Sequence, residues 1–357
     1  MGIRSKQYRF TVHRKQRPMT NSVVAFRNTD STLWHLDFFT GIGDYTISRQ
    51  VMYENGSAFS SGTALFCASK ENKKVVVFGT NNAVYSTDTG KTWKNCVINN
   101  FANQSISLLG ARMIYHPGVG YFLSNGVASP NTRLLFSGDG ITWTRIANNM
   151  GGYVSPVMLA NNTLALVLTG STTIAYTDAT LIRAAWDADP TVLFNPTWQT
   201  TVTTGAAMSI LLTNADGTLI KGIRAATTSP GAWEGTDVTQ PLTALSGTNS
   251  LNPSSFRQST WSTLSNAHLF GAASYAVVAY ARPGGRVTSG DNISTSAQVF
   301  GESVFLNRLF VLTSTAQIRF TTVRSTSSGA PNNSLGTSNI AVAGSYYDAN
   351  GDFYLES

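Results

Sequence analysis

Short apolar segments separated by turn residues repeat along residues 64–147, and this pattern predicts β-strands. The segments are rich in valine, tyrosine, phenylalanine and tryptophan, which favour strands. They form two groups of four predicted strands: Ala64–Ala68, Val75–Gly79, Ala83–Ser86 and Thr92–Val97, then Arg112–His116, Tyr121–Asn125, Arg133–Ser137 and Thr142–Ala147. No sustained apolar stripe has the period of an α-helix, so long amphipathic helices are not expected.

One turn motif recurs between the third and fourth predicted strand of each group. The first copy is Ser86–Trp93 (STDTGKTW) and the second is Ser137–Trp143 (SGDGITW). We call them the first corner and the second corner. They lie about fifty residues apart, and a repeat of that period is typical of propellers, solenoids and other arrays.

The residue types of the corners fit a tight turn that starts a new strand. The Asp88 carboxylate can accept hydrogen bonds from turn amides, and Gly90 can adopt a positive φ without steric cost. The pair Asp139-Gly140 predicts a two-residue hairpin loop of type I′. We assign a structural role to both corners, with ligand binding by the aspartates as the alternative. The residues that carry this role are Ser86, Asp88, Gly90, Thr92, Trp93, Ser137, Asp139, Gly140, Thr142 and Trp143.

The two corners resemble the Asp-box (BNR) repeat of sialidase-like β-propellers. The resemblance covers residues 63–147 well and the rest of the chain weakly. It implies an all-β fold, a single β-propeller of four-stranded blades in which Trp93 and Trp143 pack against neighbouring blades.

Weaker copies of the corner extend the repeat beyond these residues. Asp178, Asp216 and Asp291 stand at positions that resemble the corner aspartates, and the last gap leaves room for one more blade near residues 241–261. This spacing predicts about seven blades, with six as the alternative, in a domain that spans residues 22–357.

The two ends of the propeller are expected to meet. Ala341–Tyr346 and Phe353–Leu355, separated by an Asn-Gly turn, predict a C-terminal hairpin. Residues 22–50 contain a further strand-like segment that could pair with this hairpin and close the ring. Closure would remove the exposed sheet edges that favour aggregation.

Positive charge is concentrated at the N-terminus. The chain has 25 basic and 18 acidic residues, and seven of the basic residues but none of the acidic ones lie within residues 1–29. We interpret residues 1–21 as a basic arm that docks on a partner protein or on the body of this one, with nucleic acid as the less favoured partner. The arm residues expected to make contacts are Arg4, Lys6, Tyr8, Arg9, Phe10, Arg14, Lys15 and Arg17.

Several kinds of chemistry lack the residues they need. Cys67 and Cys96 are predicted on the first and fourth strands of one blade, roughly 14 Å apart, so they are expected as free thiols. No metal-binding or cofactor-binding motif occurs, so neither a metal nor a cofactor is predicted. The sequence shows no apolar run of membrane-spanning length and no signal peptide.

Sialidase chemistry is the enzymatic alternative that the resemblance raises. It implies an arginine triad, a tyrosine nucleophile with a glutamate, and an aspartate as acid and base. The candidate arginines are Arg112, Arg224, Arg286, Arg308 and Arg319. The Arg-Ile-Pro signature of that family is absent before the first corner, and the five glutamates stand in no motif. We therefore expect a protein that is not an enzyme and keep a sialidase-like glycoside hydrolase as a second alternative.

The composition leads to an expectation about the biological role. Charged residues make up 12% of the chain, about half the usual share, and the neutral body is rich in asparagine, serine and threonine. Together with the short corners, this resembles bacteriophage virion and tail proteins. The resemblance implies a structural component of a symmetric multi-copy virion, bound to other virion proteins through the arm and the propeller faces. A receptor-binding protein for a host-surface glycan is the first alternative.

Overall fold

The structure, a computed structural model, describes the chain as short strands and the turns between them. Side chains are described for Leu33 and for most of residues 51–245. The described backbone comprises residues 20–27, 32–39, 45–59, 65–69, 74–79, 82–88, 90–100, 112–124, 134–146, 153–168, 171–192, 194–203, 207–208, 210–214, 216–224, 231–245, 256–262, 267–272, 277–281, 287–292, 298–303, 308–312, 318–322, 335–338, 346–347 and 353–354.

The strands of the first half form three successive sheets. The N-terminal sheet contains β1 (Thr20–Arg27), β2 (Thr32–Phe39) and β3 (Tyr45–Gln50). Sheet I contains β4 (Met52–Tyr53), β5 (Leu65–Ser69), β6 (Lys74–Phe78), β7 (Ala83–Ser86) and β8 (Thr92–Asn95). Sheet II contains β9 (Val97–Asn99), β10 (Arg112–His116), β11 (Gly120–Ser124), β12 (Leu134–Ser137) and β13 (Thr142–Arg145).

The second half continues in the same way. Sheet III contains β14 (Tyr153–Met158), β15 (Thr163–Leu168), β16 (Thr173–Asp178) and β17 (Gln199–Val202), and the helix α1 (Ala179–Ala188) lies between β16 and β17 in the chain. Sheet IV contains β18 (Ile210–Thr213), β19 (Ile220–Arg224), β20 (Gly231–Gly235) and β21 (Thr243–Ala244). Sheet V contains β22 (Phe256–Ser262), β23 (Ala267–Ala272), β24 (Val277–Ala281) and β25 (Val287–Asn292). Sheet VI contains β26 (Gln298–Ser303), β27 (Arg308–Leu312), β28 (Ile318–Thr322) and β29 (Leu335–Ser338), and the C-terminal hairpin contains β30 (Tyr346–Tyr347) and β31 (Phe353–Tyr354).

The sheets follow one another in a ring. In sheets I to VI four antiparallel strands are joined in chain order. The first of these strands contact each other in succession: β5 contacts β10, β10 contacts β14 and β14 contacts β18. Farther along, β22 contacts β26, β26 contacts β31 and β30 contacts β5, so the end of the chain returns to sheet I. The all-β propeller fold is thereby confirmed, while the number of blades stays a prediction.

Two short strands connect neighbouring sheets along their outer edge. β9 follows β8 directly and pairs in parallel with β13 of the next sheet, where Val97 N donates to Ile141 O at 3.0 Å. β4 pairs in the same way with β8, where Met52 N donates to Lys91 O at 3.1 Å. Each of these outer edges is thus covered by the preceding segment of chain, which leaves fewer unpaired edge groups.

The strands predicted within residues 64–147 agree with the structure to within two residues at either end. Their continuous apolar runs are explained by burial on both faces. Along β11, Tyr121 and Leu123 pack toward sheet I, whereas Phe122 between them packs toward sheet III. Successive side chains of a strand point to opposite faces, so a strand between two other sheets needs apolar residues at every position.

Trp143 lies in the core between sheets I and II. It is fully buried, and its ring contacts Phe78 edge to face with the ring centroids 4.6 Å apart. On the other side its ring centroid lies 6.0 Å from that of Tyr121. This indole therefore joins two blades, as the sequence predicted for the corner tryptophans.

Two of the three weaker copies of the corner were assigned wrongly, while the third, Asp216-Gly217, forms the predicted turn but at a different place in its sheet. Asp178 does not stand in a hairpin turn: it caps the N-terminus of α1, and its Oδ1 accepts from Thr180 N at 2.8 Å. Asp216 lies between the first and second strands of sheet IV, and Asp291 lies within β25. An aspartate followed by helix-forming residues caps a helix as readily as it forms a turn, so the motif without its glycine and Thr-Trp pair is ambiguous.

The structure can also be compared with the expectations for ring closure, for the two cysteines, for the N-terminal arm and for membrane spans. The described part of β1–β3 pairs within its own sheet, and β30 pairs with β31, so the expected pairing between residues 22–50 and the C-terminal hairpin is not formed there. Cys67 and Cys96 are free thiols, as predicted. Residues 1–19 of the predicted arm lie outside the described residues, and its docking stays a prediction. No helix in the described parts of the chain is long and apolar enough to cross a membrane.

Replacing Trp143 with alanine should lower the free energy of unfolding by about 3–5 kcal/mol, because a buried indole between two sheets leaves a cavity when it is removed. The measurement is the shift in the urea unfolding midpoint. Leu181→Ala on α1, where the side chain is 58% exposed, serves as the control and should change stability by less than about 0.5 kcal/mol. Equal effects of both substitutions would contradict the assignment of Trp143 to the joint between the sheets.

A buried ion pair joins β19 and β20 in sheet IV. Lys221 Nζ lies 2.5 Å from Glu234 Oε1, and the two side chains are 1% and 12% exposed. Burial lowers the pKa of Lys221, and the hydrogen bond from Lys221 to Glu234 opposes this effect. Each charge therefore depends on its partner, because neither can be solvated by bulk water.

Glu234→Gln should destabilise the protein by about 3–5 kcal/mol, since it leaves the Lys221 ammonium buried without a carboxylate. The matched control is Glu54→Gln, which breaks the exposed pair between Lys94 and Glu54 and should change stability little. Denaturant unfolding of both variants measures the difference. If Glu234→Gln lowers the free energy of unfolding no more than Glu54→Gln does, then the buried Lys221 does not depend on the Glu234 carboxylate.

Candidate functional site

In the first corner every oxygen of the aspartate is used by the turn. Asp88 Oδ1 accepts from the backbone N–H groups of Lys91 at 3.1 Å and Thr92 at 2.9 Å. Asp88 Oδ2 accepts from the Thr92 hydroxyl at 2.7 Å. Ser86 Oγ donates to Asp88 Oδ1 at 2.7 Å and accepts from Gly90 N at 2.9 Å. The carboxylate thus replaces hydrogen bonds that the turn would otherwise leave unmade.

The second corner uses a single oxygen of its aspartate. Asp139 Oδ1 accepts from Ser137 Oγ at 3.0 Å, from Ile141 N at 2.7 Å and from Thr142 N at 2.8 Å. Ser137 Oγ accepts from Gly140 N at 2.8 Å. Within the described residues, Asp139 Oδ2 accepts no hydrogen bond.

The two corners differ because the second is one residue shorter. In the first corner Thr92 stands four positions after Asp88, and its hydroxyl reaches the carboxylate. In the second, Thr142 stands three positions after Asp139, and its hydroxyl makes no such bond among the described residues. The deletion therefore preserves the backbone turn and leaves one oxygen of the aspartate available.

Glycine and tryptophan occupy equivalent places in both corners. Gly90 has φ +86° and Gly140 has φ +75°, a region that a side chain disfavours. The indole N–H of Trp93 donates to Gly90 O at 2.9 Å, and that of Trp143 donates to Gly140 O at 3.3 Å. The type I′ interpretation of the second corner is wrong: the loop comprises residues 138–141, and of these Gly140 is the residue with positive φ, whereas type I′ requires two.

A cavity of about 320 Å³ lies beside the second corner. Two sheets and a helix contribute to it: Lys74 at the start of β6 in sheet I, the turn between β10 and β11 and the second corner in sheet II, and Arg183 on α1. The residues that line it are Lys74, Tyr115, Gly118, Val119, Gly120, Gly138, Asp139 and Arg183. Three glycines among them expose backbone groups to whatever occupies the cavity.

Lys74 brings a positive charge from sheet I to the corner of sheet II. Its Nζ donates to the main-chain oxygen of Asp139, and the side chain is half-buried. Burial lowers the pKa of Lys74, and the nearby charge of Asp139 partly offsets this. No carboxylate of the described residues forms an ion pair with Lys74, so two of its three protons are available to a ligand.

Arg183 holds the cavity together from the side of the helix. Its Nε lies 2.8 Å from both carboxylate oxygens of Asp187. Its Nη1 donates to Val119 O at 3.0 Å and to Gly138 O at 3.4 Å, which connects two turns of sheet II to α1. Arg183 Nη2 has no partner among the described residues. The guanidinium also lies 5.8 Å from the ring centroid of Trp186.

Trp186 explains why residue 138 is a glycine. A Cβ at Gly138 would lie 2.6 Å from the Trp186 ring, closer than any real contact. The close approach of the helix to the second corner therefore depends on this glycine. It places Arg183 and Asp139 on the same cavity.

Two of the lining residues, Gly138 and Asp139, belong to the second corner, which the sequence identified. Lys74 and Arg183 stand in no motif, and a close approach between two sheets and a helix leaves no local signal. Of the candidate sialidase arginines, Arg112 begins β10 and Arg224 ends β19 in different sheets, and neither lines this cavity. The structure does not bring these two together, and Arg286 lies outside the described residues.

No protein-family model matches this chain, and no curated protein is similar to it in sequence. Solved structures with similar folds exist. A protein from Lactobacillus plantarum has a TM-score of 0.61 at 9% identity, over 91% of this chain and 98% of that one. Periplasmic gluconolactonase from Pseudomonas aeruginosa has 0.60 at 13% identity, over 95% and 99%. A putative 6-phosphogluconolactonase from Bacteroides fragilis has 0.60 at 12% identity, over 91% and 97%.

These similarities correct the expected role. The assignment to a non-enzymatic bacteriophage tail component is wrong: two of the three similar structures are named as lactonases, and none as a virion protein. The physical reason for the error is that corner chemistry and a polar composition determine strands and turns, which propellers of many activities share. Identities near 10% establish the propeller fold and leave the activity of this chain open.

The negative charge of Asp88 should stabilise the folded protein at neutral pH. Burial alone would raise the pKa of Asp88, but hydrogen bonds from Thr92, Ser86 and Lys91 hold it below its ordinary value. Asp88→Asn should therefore cost about 1–2 kcal/mol at pH 7.

This cost should begin to shrink as the pH falls below about 4, where the carboxylate of the unfolded chain takes up a proton, and it should vanish once the pH is below the lowered pKa of native Asp88. Urea unfolding of both proteins at pH 7 and pH 3 measures the change. An equal cost at the two pH values would show that the charge of Asp88 is not the source of the stabilisation.

Proposed function

We propose that the protein binds a small hydroxyl-rich anion of the sugar-acid class in the cavity beside the second corner, and that it hydrolyses the corresponding lactone. One observation carries this proposal: two cationic side chains, Lys74 and Arg183, line one cavity, and each has donor groups without a partner among the described residues. Arg183 already forms an ion pair with Asp187, but no carboxylate of the described residues forms one with the half-buried Lys74. Buried charges are normally paired, so an anionic ligand is the partner that we assign to Lys74.

The cavity also contains acceptors, and this narrows the class of ligand. Asp139 Oδ2 accepts no hydrogen bond from the described residues, and Asp139 lines the same cavity as Lys74. A ligand that only accepts hydrogen bonds, such as acetate, would leave this oxygen unused. A sugar acid satisfies both sides, because its acidic group accepts from Lys74 and its hydroxyl groups donate to Asp139.

The volume of the cavity limits the size of the ligand. About 320 Å³ is at the lower end of the range of ligand sites, roughly 300–1,000 Å³. A cavity of this volume suits one sugar ring or one open-chain sugar acid, but not an oligosaccharide.

The names of two similar structures add the reaction class. They are named for the lactones of gluconate and of 6-phosphogluconate, which are sugar acids of the size and charge that the cavity suits. Since propellers of low sequence identity host many activities, the names support the choice of substrates for testing, and the cavity carries the proposal.

Lys74→Gln should weaken the binding of gluconate and 6-phosphogluconate about 10- to 100-fold. A hydrogen bond from a charged donor contributes about 1.5–3 kcal/mol, and each ~1.4 kcal/mol is a factor of ten in affinity. Isothermal titration calorimetry measures this, with neutral glucose as the ligand control. Hydrolysis of both lactones is followed as the rate above the uncatalysed reaction.

The matched variant is Lys94→Gln, which removes an exposed lysine on β8 outside the cavity and should leave binding unchanged. Burial lowers the pKa of Lys74. As the pH rises, the affinity of the wild-type protein should therefore begin to decrease at a lower pH than the one at which an ordinary lysine loses its proton. Absence of binding for both acids, or an equal loss in both variants, would overturn the proposal.

A further inference from the structure

We propose that Asp139 is a catalytic residue: its Oδ2 accepts a proton from the water that attacks a lactone bound in the cavity. This inference rests on the function proposed above and adds to it the group that performs the chemistry. It also gives the second corner a role that the first corner does not have, although the two share almost the same sequence.

The comparison of the two corners is the first argument. The same turn occurs twice, and in the first copy the Thr92 hydroxyl occupies Asp88 Oδ2 at 2.7 Å. The second copy lacks one residue, so Thr142 does not occupy Asp139 Oδ2, and this aspartate lines a cavity. If the carboxylate served only the turn, both of its oxygens could accept hydrogen bonds within the turn without any loss, as they do in Asp88.

The rigid position of Asp139 is the second argument. Three hydrogen bonds to Oδ1, from Ser137, Ile141 and Thr142, fix the plane of the carboxylate. A general base works best when it is held in place before the substrate arrives, because no orientation then has to be gained during the reaction. The corner provides this orientation without using the second oxygen.

The third argument is the position of Lys74. Its Nζ donates to the main-chain oxygen of Asp139, and the Lys74 and Asp139 side chains line the same cavity. In the hydrolysis of an ester the carbonyl oxygen becomes negative in the transition state, and a fixed cation stabilises that charge. The carboxylate of the product forms from the same carbonyl group, so the contact that binds the product also stabilises the transition state.

The reaction balances with water as the single co-reactant. The water oxygen bonds to the lactone carbonyl carbon while Asp139 takes one of its protons. The bond between the carbonyl carbon and the ring oxygen then breaks, and the ring oxygen receives the proton from Asp139 and becomes a hydroxyl group. The product is the open-chain acid, which still carries the second proton of the water and releases it to solvent. Its carboxylate then lies against Lys74, and Asp139 is ionised again.

The decisive experiment compares Asp139→Asn with Asp88→Asn. Both substitutions keep an Oδ1 acceptor for the turn, and both remove a charge. We expect Asp139→Asn to lower kcat about 10²- to 10⁴-fold, with KM changed little and with gluconate bound as tightly as by the wild type. Asp88→Asn should lower the melting temperature and leave kcat unchanged.

A second variant keeps the carboxylate and blocks its available oxygen. Inserting one threonine between Asp139 and Gly140 gives the second corner the length of the first, so that the Thr142 hydroxyl can occupy Asp139 Oδ2. We expect this insertion to lower kcat although no charge is lost. The melting temperature of each variant shows whether it is folded, and gluconate binding shows whether the cavity is intact.

The outcomes separate the two proposals. Wild-type hydrolysis that Asp139→Asn leaves unchanged would overturn the role of Asp139 and leave the proposed function standing. Equal losses of kcat in Asp139→Asn and Asp88→Asn would also overturn it, since the effect would then be structural. A wild-type protein that neither binds gluconate nor hydrolyses its lactone would overturn the proposed function itself.

Discussion

The burial of both faces of the central strands is the constraint on which the rest of the structure depends. Strands such as β11 and β12 lie between two other sheets, and their side chains pack alternately to either side. Most side chains in the bodies of these strands are therefore apolar, and polar groups concentrate in the turns at the strand ends. The fully buried Trp143 connects a turn of this kind to the core, because its ring packs between sheets I and II while its N–H bonds to Gly140.

The same turn binds its aspartate in two different ways, and a difference of one residue decides which. In the first corner both oxygens of the aspartate are hydrogen-bonded within the turn. In the second corner, which is one residue shorter, Asp139 Oδ2 accepts no hydrogen bond from the described residues, and Asp139 lines a cavity together with Lys74 and Arg183. The backbone turn thus forms without using this oxygen, and loops on a rigid scaffold are the places where proteins often carry their functional groups.

Sequence reasoning succeeded where hydrogen bonds and packing are local and failed where the same residue type has several uses. The four antiparallel strands of sheet I and of sheet II were predicted to within two residues, because burial on both faces demands apolar residues throughout. Asp178 was misassigned because an aspartate forms a helix cap as well as a turn, and the glycine that would have distinguished the two is absent. The expected virion role failed for another reason: it relied on composition, which reports on the type of surface and not on a site.

The amino-acid sequence was sufficient for the strands, the corners and the propeller, since these follow from the alternation of side chains and from hydrogen bonds between residues a few positions apart. It was insufficient for the cavity. Lys74, Asp139 and Arg183 come from three elements spread over about a hundred residues, and their meeting depends on how far each sheet is rotated against the next. Their positions are set by the packing of whole elements against each other, for example by the close approach of Trp186 on α1 to Gly138 in the second corner. The tertiary structure alone therefore brings a cation and a carboxylate to one cavity.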